Sequence, residues 1–132
     1  MIGLAAAFFV TALLYSIAGF GGGSTYTALL GLAGTDYRAI QSASTEIRRH
    51  FRRCDHVVFA AGVGSGKFGF PFWKLDPSDW DRVIRVNLLG AANTAHAFAP
   101  EMAEARTGTM LFIASVAGQM GSQTDPPYSA SK

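Results

Sequence analysis

Tyr128-Ser129-Ala130-Ser131-Lys132 sets a phenol and an ammonium four positions apart. On a helix that spacing puts both side chains on one face, about one turn apart. A free tyrosine ionises near pH ~10, too high for proton exchange at neutrality. A lysine cation close by favours the tyrosinate and draws the phenol toward the working range. The pair is suited to trading a proton with a carbonyl or an alcohol. Y-x-x-x-K alone also describes two solvated residues on any helix, so its meaning rests on what precedes it.

Working back from this pair, Pro126-Pro127 suits the first turn of the helix that carries it. Gly108-Thr-Met-Leu-Phe-Ile-Ala114 reads as a strand, and Ser115 lies at its C-terminal end. In an open α/β sheet, side chains there point into the ligand crevice. Further back, Asp76-Pro77-Ser78-Asp79 has the signature of a helix start: Asp76 at the N-cap, Pro77 at the first helical position and Asp79 against the positive helix end. Trp80, Val83, Ile84 and Leu88 continue as an apolar stripe, and the helix is predicted to run to about Ala105. Asn87 falls within this apolar setting, three residues before Gly90. His56-Val-Val-Phe-Ala-Ala61 is a short apolar run entering Gly62-Val-Gly-Ser-Gly66, the pattern of a buried parallel strand that ends in a glycine-rich loop. A nucleotide is expected at such a loop.

The order is strand, glycine loop, helix with Asn87, strand, Ser115, and helix with Tyr128 and Lys132. From Val57 to Lys132 this resembles the short-chain dehydrogenase/reductase family. The resemblance is carried by Ala61-Gly62, Asp79-Trp80, Val86-Asn87-Leu88-Leu89-Gly90, Ser115 and Tyr128-Ser-Ala-Ser-Lys132. It implies an α/β fold with a partial Rossmann-like parallel sheet of two to three strands over residues 41–132. It implies NAD or NADP as cofactor, contacted by Ala61, Gly62, Asn87, Tyr128 and Lys132, and hydride transfer between nicotinamide and a ketone or secondary alcohol. The implied catalytic set is Asn87, Ser115, Tyr128 and Lys132. Tyr128 would be the general acid/base, and Lys132 would tune it and bind the nicotinamide ribose. Ser115 would orient the substrate oxygen, and Asn87 would hold a water in a relay behind Lys132. Read without the resemblance, Ser115 is a helix N-cap and Asn87 a buried amide satisfied by backbone.

The sequence also departs from the family. Phe59 and Ala60 stand where paired asparagines are frequent. The opening strand, its T-G-x-x-x-G-x-G turn and the strand that selects NAD or NADP have no counterpart before Val57. The expectation is therefore an incomplete piece of such an enzyme, impaired as a catalyst because the pyrophosphate lacks its helix N-terminus. A non-catalytic remnant is the competing reading.

Residues 1–35 differ in kind, since none is Lys, Arg, Asp, Glu or His. Ile2–Ala18 approaches the ~20 apolar residues of a membrane-crossing helix. No positive charge precedes it, which disfavours a signal peptide. Gly19-Phe-Gly-Gly-Gly-Ser24 comes near G-x-G-x-x-G, but a long helical run precedes it instead of a short strand. Ala12–Ser24 with the apolar run after it resembles the first transmembrane segment of sulfite-exporter (TauE/SafE-type) permeases. Residues 1–40 are thus expected to be an apolar, transmembrane-like helical segment, with membrane association through residues 2–35. A membrane transporter fragment is the alternative function. The dehydrogenase part is expected in the cytoplasm.

At Asp36 the composition changes. Ile40, Ala43, Ile47 and Phe51 repeat at helical spacing, with Arg48, Arg49, Arg52 and Arg53 on the other faces. The net charge of +2 and the absence of aromatic interleaving in this basic run argue against a nucleic-acid partner. The one cysteine, Cys54, excludes an internal disulfide, and His50, His56 and His96 are too scattered for a metal site.

Overall fold

The computed structural model describes residues 36–121 and 124–132. Helix α1 (Tyr37–Phe51) starts where the charge-free stretch ends. Asp36 caps it by accepting a hydrogen bond from the Arg38 N–H at 2.9 Å. Of the residues at helical spacing, Ile40 is fully buried, whereas Phe51 at the last turn is 75 % exposed. Two arginines of the basic run pair with local carboxylates: Arg49 with Glu46 at 2.9 Å and Arg53 with Asp55 at 2.8 Å. Arg48 reaches Glu101 at 3.8 Å.

Strand β1 (His56–Phe59) pairs in parallel with β2 (Thr109–Phe112), Val57 opposite Met110 and Phe59 opposite Phe112. Parallel neighbours need a crossover. It consists of α2 (Pro77–Ile84), a π-helical turn (Arg85–Leu89) and α3 (Gly90–Ala105). Two short helices close the described chain, α4 (Val116–Met120) and α5 (Pro126–Ser131). Helix α3 packs on both strands and on α1. The core so formed holds Ile40, Phe59, Ala61, Val83 and Phe98. Each large apolar side chain buried there contributes roughly 1.5–3 kcal/mol. Parallel strands are ordinarily covered on both faces. Here Val58, Leu111 and Ile113 remain 43 %, 52 % and 46 % exposed, so one face is open among the described residues.

The start of α2 follows the sequence expectation. Asp76 is the N-cap, and its N–H donates to Asp79 Oδ2 at 2.8 Å. Lys67 from the glycine-rich loop adds hydrogen bonds to Asp79 at 2.7 Å and Asp76 at 3.2 Å. These bonds from Lys67 hold the Asp79 carboxyl below the usual carboxylate range, and their counterparts raise the lysine.

The single long helix expected from Pro77 to about Ala105 is interrupted. Gly90 N–H donates to the Arg85 carbonyl, five residues back, which widens one turn. Within this turn Asn87, four residues past Val83, is buried, while Leu88 and Leu89 are 50 % and 48 % exposed. The apolar stripe of Trp80, Val83 and Ile84 therefore does not extend to Leu88, which is exposed. The transmembrane-like segment expected over residues 1–40 lies outside the described residues, apart from its last five positions, which belong to α1 and its cap. Among the described residues no helix is long and apolar enough to cross a membrane.

Candidate active site

The C-terminal ends of β1 and β2 face α5. Beyond β1 the chain runs through buried Ala61 into Gly62, whose exposed backbone lies beside the Lys132 side chain. A Cβ at position 62 would stand 3.1 Å from Lys132 Nζ and 3.8 Å from Asn87 Oδ1. Beyond β2, the Ile113 carbonyl accepts a hydrogen bond from Lys132 Nζ at 2.9 Å. The same ammonium lies 5.8 Å from the centre of the Tyr128 ring. The Y-x-x-x-K pair thus shares one helix face as its spacing predicts, with the lysine anchored to the tip of a strand.

Asn87 is 3 % exposed, and both ends of its carboxamide are occupied. Oδ1 accepts from the Val63 N–H at 2.8 Å. Nδ2 donates to the Val63 carbonyl at 3.0 Å and to Ser131 Oγ at 2.7 Å. The Ser131 hydroxyl donates onward to the Tyr128 carbonyl at 2.7 Å. Asn87 therefore ties the glycine-rich loop to the back of α5. Its two N–H donors are committed to protein groups, as in the buried-amide reading of the sequence.

Ser115 lies two residues past Ile113 and caps α4, accepting from the Ala117 N–H at 3.2 Å. The N-cap reading of this serine is the geometry found. Helix α4 in turn abuts the end of α5. A Cβ on Gly118 would come within 2.4 Å of the Lys132 carbonyl carbon, so the two backbones meet only because residue 118 has no side chain. A cavity of about 200 Å³ between Phe59, Asn87, Leu88, Phe112, Ile113 and Lys132 opens beside the lysine. A wider groove of about 530 Å³ lies at the other end of α5, walled by Phe70, Phe72, Trp73 and Pro126.

The structure brings Gly62, Asn87 and Lys132 together, carries Tyr128 on the same helix, and sets Ser115 two residues beyond the strand tip that anchors the lysine. Ala61 is buried at the root of the glycine loop. Four contributors are absent from the sequence reading: Val63, Gly118, Ser131 and Asp125. Asp125 is 3 % exposed and accepts from both the Ser65 and the Tyr128 N–H, at 3.0 and 3.4 Å. A residue able to N-cap, standing before Pro126-Pro127, was the available signal for Asp125. The partners of Val63 and Ser131 lie 24 and 44 positions away and left no local trace.

The profile of the family described as short chain dehydrogenase matches residues 23–132. The chain belongs to this family. The match begins at Gly23, upstream of Val57, and so takes in part of the segment expected to be transmembrane-like. An acetoacetyl-CoA reductase of Synechocystis sp. is 37 % identical over 98 residues, covering 74 % of this chain and 40 % of the reductase. A metagenomic short-chain oxidoreductase solved in complex with NADP is 37 % identical with a TM-score of 0.67, covering 74 % of this chain and 43 % of that one. An NAD+-bound xylitol dehydrogenase is 26 % identical with a TM-score of 0.68, over 75 % and 37 % of the two chains. The short-chain dehydrogenase stretch described here thus spans about two fifths of the length of the relatives it matches.

Proposed function

We propose that this chain carries the proton-transfer half of an NAD(P)-dependent oxidoreductase site that acts on a ketone or secondary alcohol. The observation that carries the reading is the placement of Lys132 Nζ, held at 2.9 Å on the Ile113 carbonyl and 5.8 Å from the Tyr128 ring. An ammonium has three donors, and the one committed to Ile113 fixes the direction of the others. Tyr128 then serves as the acid that protonates a carbonyl oxygen and as the base that takes the proton back from an alcohol. Asn87 and Ser131 hold the helix turn between Tyr128 and Lys132 in register with the loop. Ser115, at the mouth of α4, is the group that would orient the substrate oxygen.

The residues present fit a nicotinamide dinucleotide. Gly62 leaves exposed backbone at the end of a parallel strand, and Lys132 lies against it. Gly62, Tyr128 and Lys132 would hold it, with buried Ala61 and Asn87 fixing the loop behind them. When bound, it supplies the hydride exchange that the protein's own side chains cannot perform. Both NADP and NAD occur in the solved relatives, and nothing in the described residues selects between them.

Fluorescence titration of the chain with NADH and with NADPH tests this reading, with Lys132→Ala and Tyr128→Phe as partners. Binding that Lys132→Ala abolishes and Tyr128→Phe keeps is the expected result. With a 3-oxo ester as substrate, Tyr128→Phe should lose turnover by about 10²–10⁴-fold, the usual worth of a positioned general acid. Absence of cofactor binding at millimolar concentration would leave a non-catalytic remnant.

A second reading concerns residues 2–35. Their lack of any charge supports a membrane-associated segment of the permease type. Recovery of the chain in the soluble fraction without detergent would end it.

A further inference from the structure

We infer that Asp125 is a positioning residue that sets the Tyr128 turn onto the glycine-rich loop; the inference deepens the reading under Proposed function and rests on it for its catalytic meaning. One carboxylate spans two elements. Oδ2 accepts from Ser65 N–H in the loop at 3.0 Å, and Oδ1 accepts from Tyr128 N–H in the first turn of α5 at 3.4 Å. The group is 3 % exposed, so these bonds are not open to free exchange with water.

The loop is shaped to receive it. A Cβ on residue 64 would stand 2.7 Å from Asp125 Oδ2 and 3.1 Å from the Phe68 ring, closer than side chains pack. Glycine at 64 is therefore what lets the loop close on the carboxylate. A second bond, Gly69 N–H to the Thr124 carbonyl at 2.7 Å, holds the segments together beside it. At the far end of α5, Asn87 makes the corresponding tie from Val63 to Ser131. The helix bearing the phenol and the ammonium is thus held at both ends by one loop, Val63 at one end and Ser65 at the other. The loop that leaves Gly62 exposed to the cofactor is the part that fixes Tyr128.

The geometry needs a carboxylate at this length. Serine at 125 can still cap α5 but is too short to reach Ser65. Asparagine offers one acceptor oxygen and turns an N–H₂ toward the other N–H donor. Asp125→Ser and Asp125→Asn therefore separate capping from positioning.

The test measures amide exchange at Ser65 and Tyr128 and the ring resonances of Tyr128, assigned with Tyr128→Phe, in the full 132-residue chain. In Asp125→Ser, Ser65 exchange should accelerate at least about tenfold and the Tyr128 ring resonances should move, while exchange at Tyr128 stays within about threefold. Asp125→Asn should fall between. Unchanged Ser65 exchange, or an unmoved Tyr128 ring once Ser65 is released, overturns the inference and leaves Asp125 a helix cap. If either variant fails to fold, Gly64→Ala supplies the same readouts from the loop side. Cofactor titration of the unaltered chain is read separately. Failure to bind rejects the oxidoreductase reading, whereas the exchange data alone decide the role of Asp125.

Discussion

Asn87 and Ser131 share a buried hydrogen bond of 2.7 Å across 44 positions of sequence, and it joins the widened turn of the crossover to the helix that carries Tyr128 and Lys132. Asn87 lies inside the i→i+5 turn at Arg85–Leu89, one turn past buried Val83 and on the same inward face. The candidate site is thus tied to a local departure from regular helix, where functional sites are frequent.

Asn87→Ala should destabilise the fold by about 2–4 kcal/mol, because it strands the Val63 N–H and carbonyl and leaves the Ser131 hydroxyl short of a partner. Ser131→Ala alone should cost about 1 kcal/mol. Urea titration of both and of the double variant should show the two effects to be non-additive by about 1 kcal/mol. Strict additivity would mean that the two residues do not act as one unit.

Gly118→Ala tests the meeting of α4 with the end of α5. The added methyl would overlap backbone at 2.4 Å, which neither helix can relieve by turning a side chain. A loss of about 1–3 kcal/mol is expected, together with faster exchange of the Lys132 amide. Gly66→Ala is the contrast. Nothing lies within 4 Å of a Cβ there, but φ is +84°, so its cost of about 1 kcal/mol is backbone strain alone. Equal, small effects at both positions would refute the close approach at 118.

Much of this site could be read from the chain alone, and the part that could not has a common cause. The N-cap at Asp76, the strands at His56 and Thr109 and the pairing of Tyr128 with Lys132 depend on neighbours a few residues away. Local periodicity and capping chemistry suffice for them. The π turn escapes because a 3.6-residue period looks the same on both sides of one inserted residue. Asn87 was legible as a buried amide, but its partners Val63 and Ser131 were not. In the sequence Asp125 offers no more than a capping signal, because a helix-capping aspartate and one that also reaches back 60 positions to Ser65 have identical sequence surroundings. The five-residue helix α4 is too short to show a period, although its Ser115 cap was weighed.

Cys54 should react slowly with disulfide reagents. Burial pushes its thiol up against the lowering effect of its bond to the His56 carbonyl, and the nearby carboxylates of Asp55 and Glu101 add to the rise. At pH 8 the rate should lie below that of a small free thiol, and it should climb as pH rises further. Because burial is the largest cause, Asp55→Asn should recover only part of the difference. Full recovery would assign the shift to charge.

The cluster of Lys67, Asp76 and Asp79 gives the fold a pH dependence whose sign follows from its bonds. Lys67 lowers Asp79 from the ordinary 3.8, chiefly by their hydrogen bond. A lowered carboxyl contributes stability that is present above 3.8 and is lost as pH falls through its depressed value. Lys67 is raised from 10.5, first by Asp79 and then by Asp76. A raised ammonium contributes stability that is present below 10.5 and is lost as pH rises through its elevated value. Between these limits the ion pairs stand, and stability should be flat near neutrality as far as this cluster governs it. Lys67→Met should therefore lower the urea midpoint at pH 7 and shrink the drop between pH 5 and pH 2.5. It should also remove part of the decline above pH 10.5. The groups are solvent-accessible, so 1 M salt should reduce the difference between the two proteins at pH 7. A Lys67→Met variant with the same acid limb as the unaltered chain would show that the loop lysine does not hold Asp79.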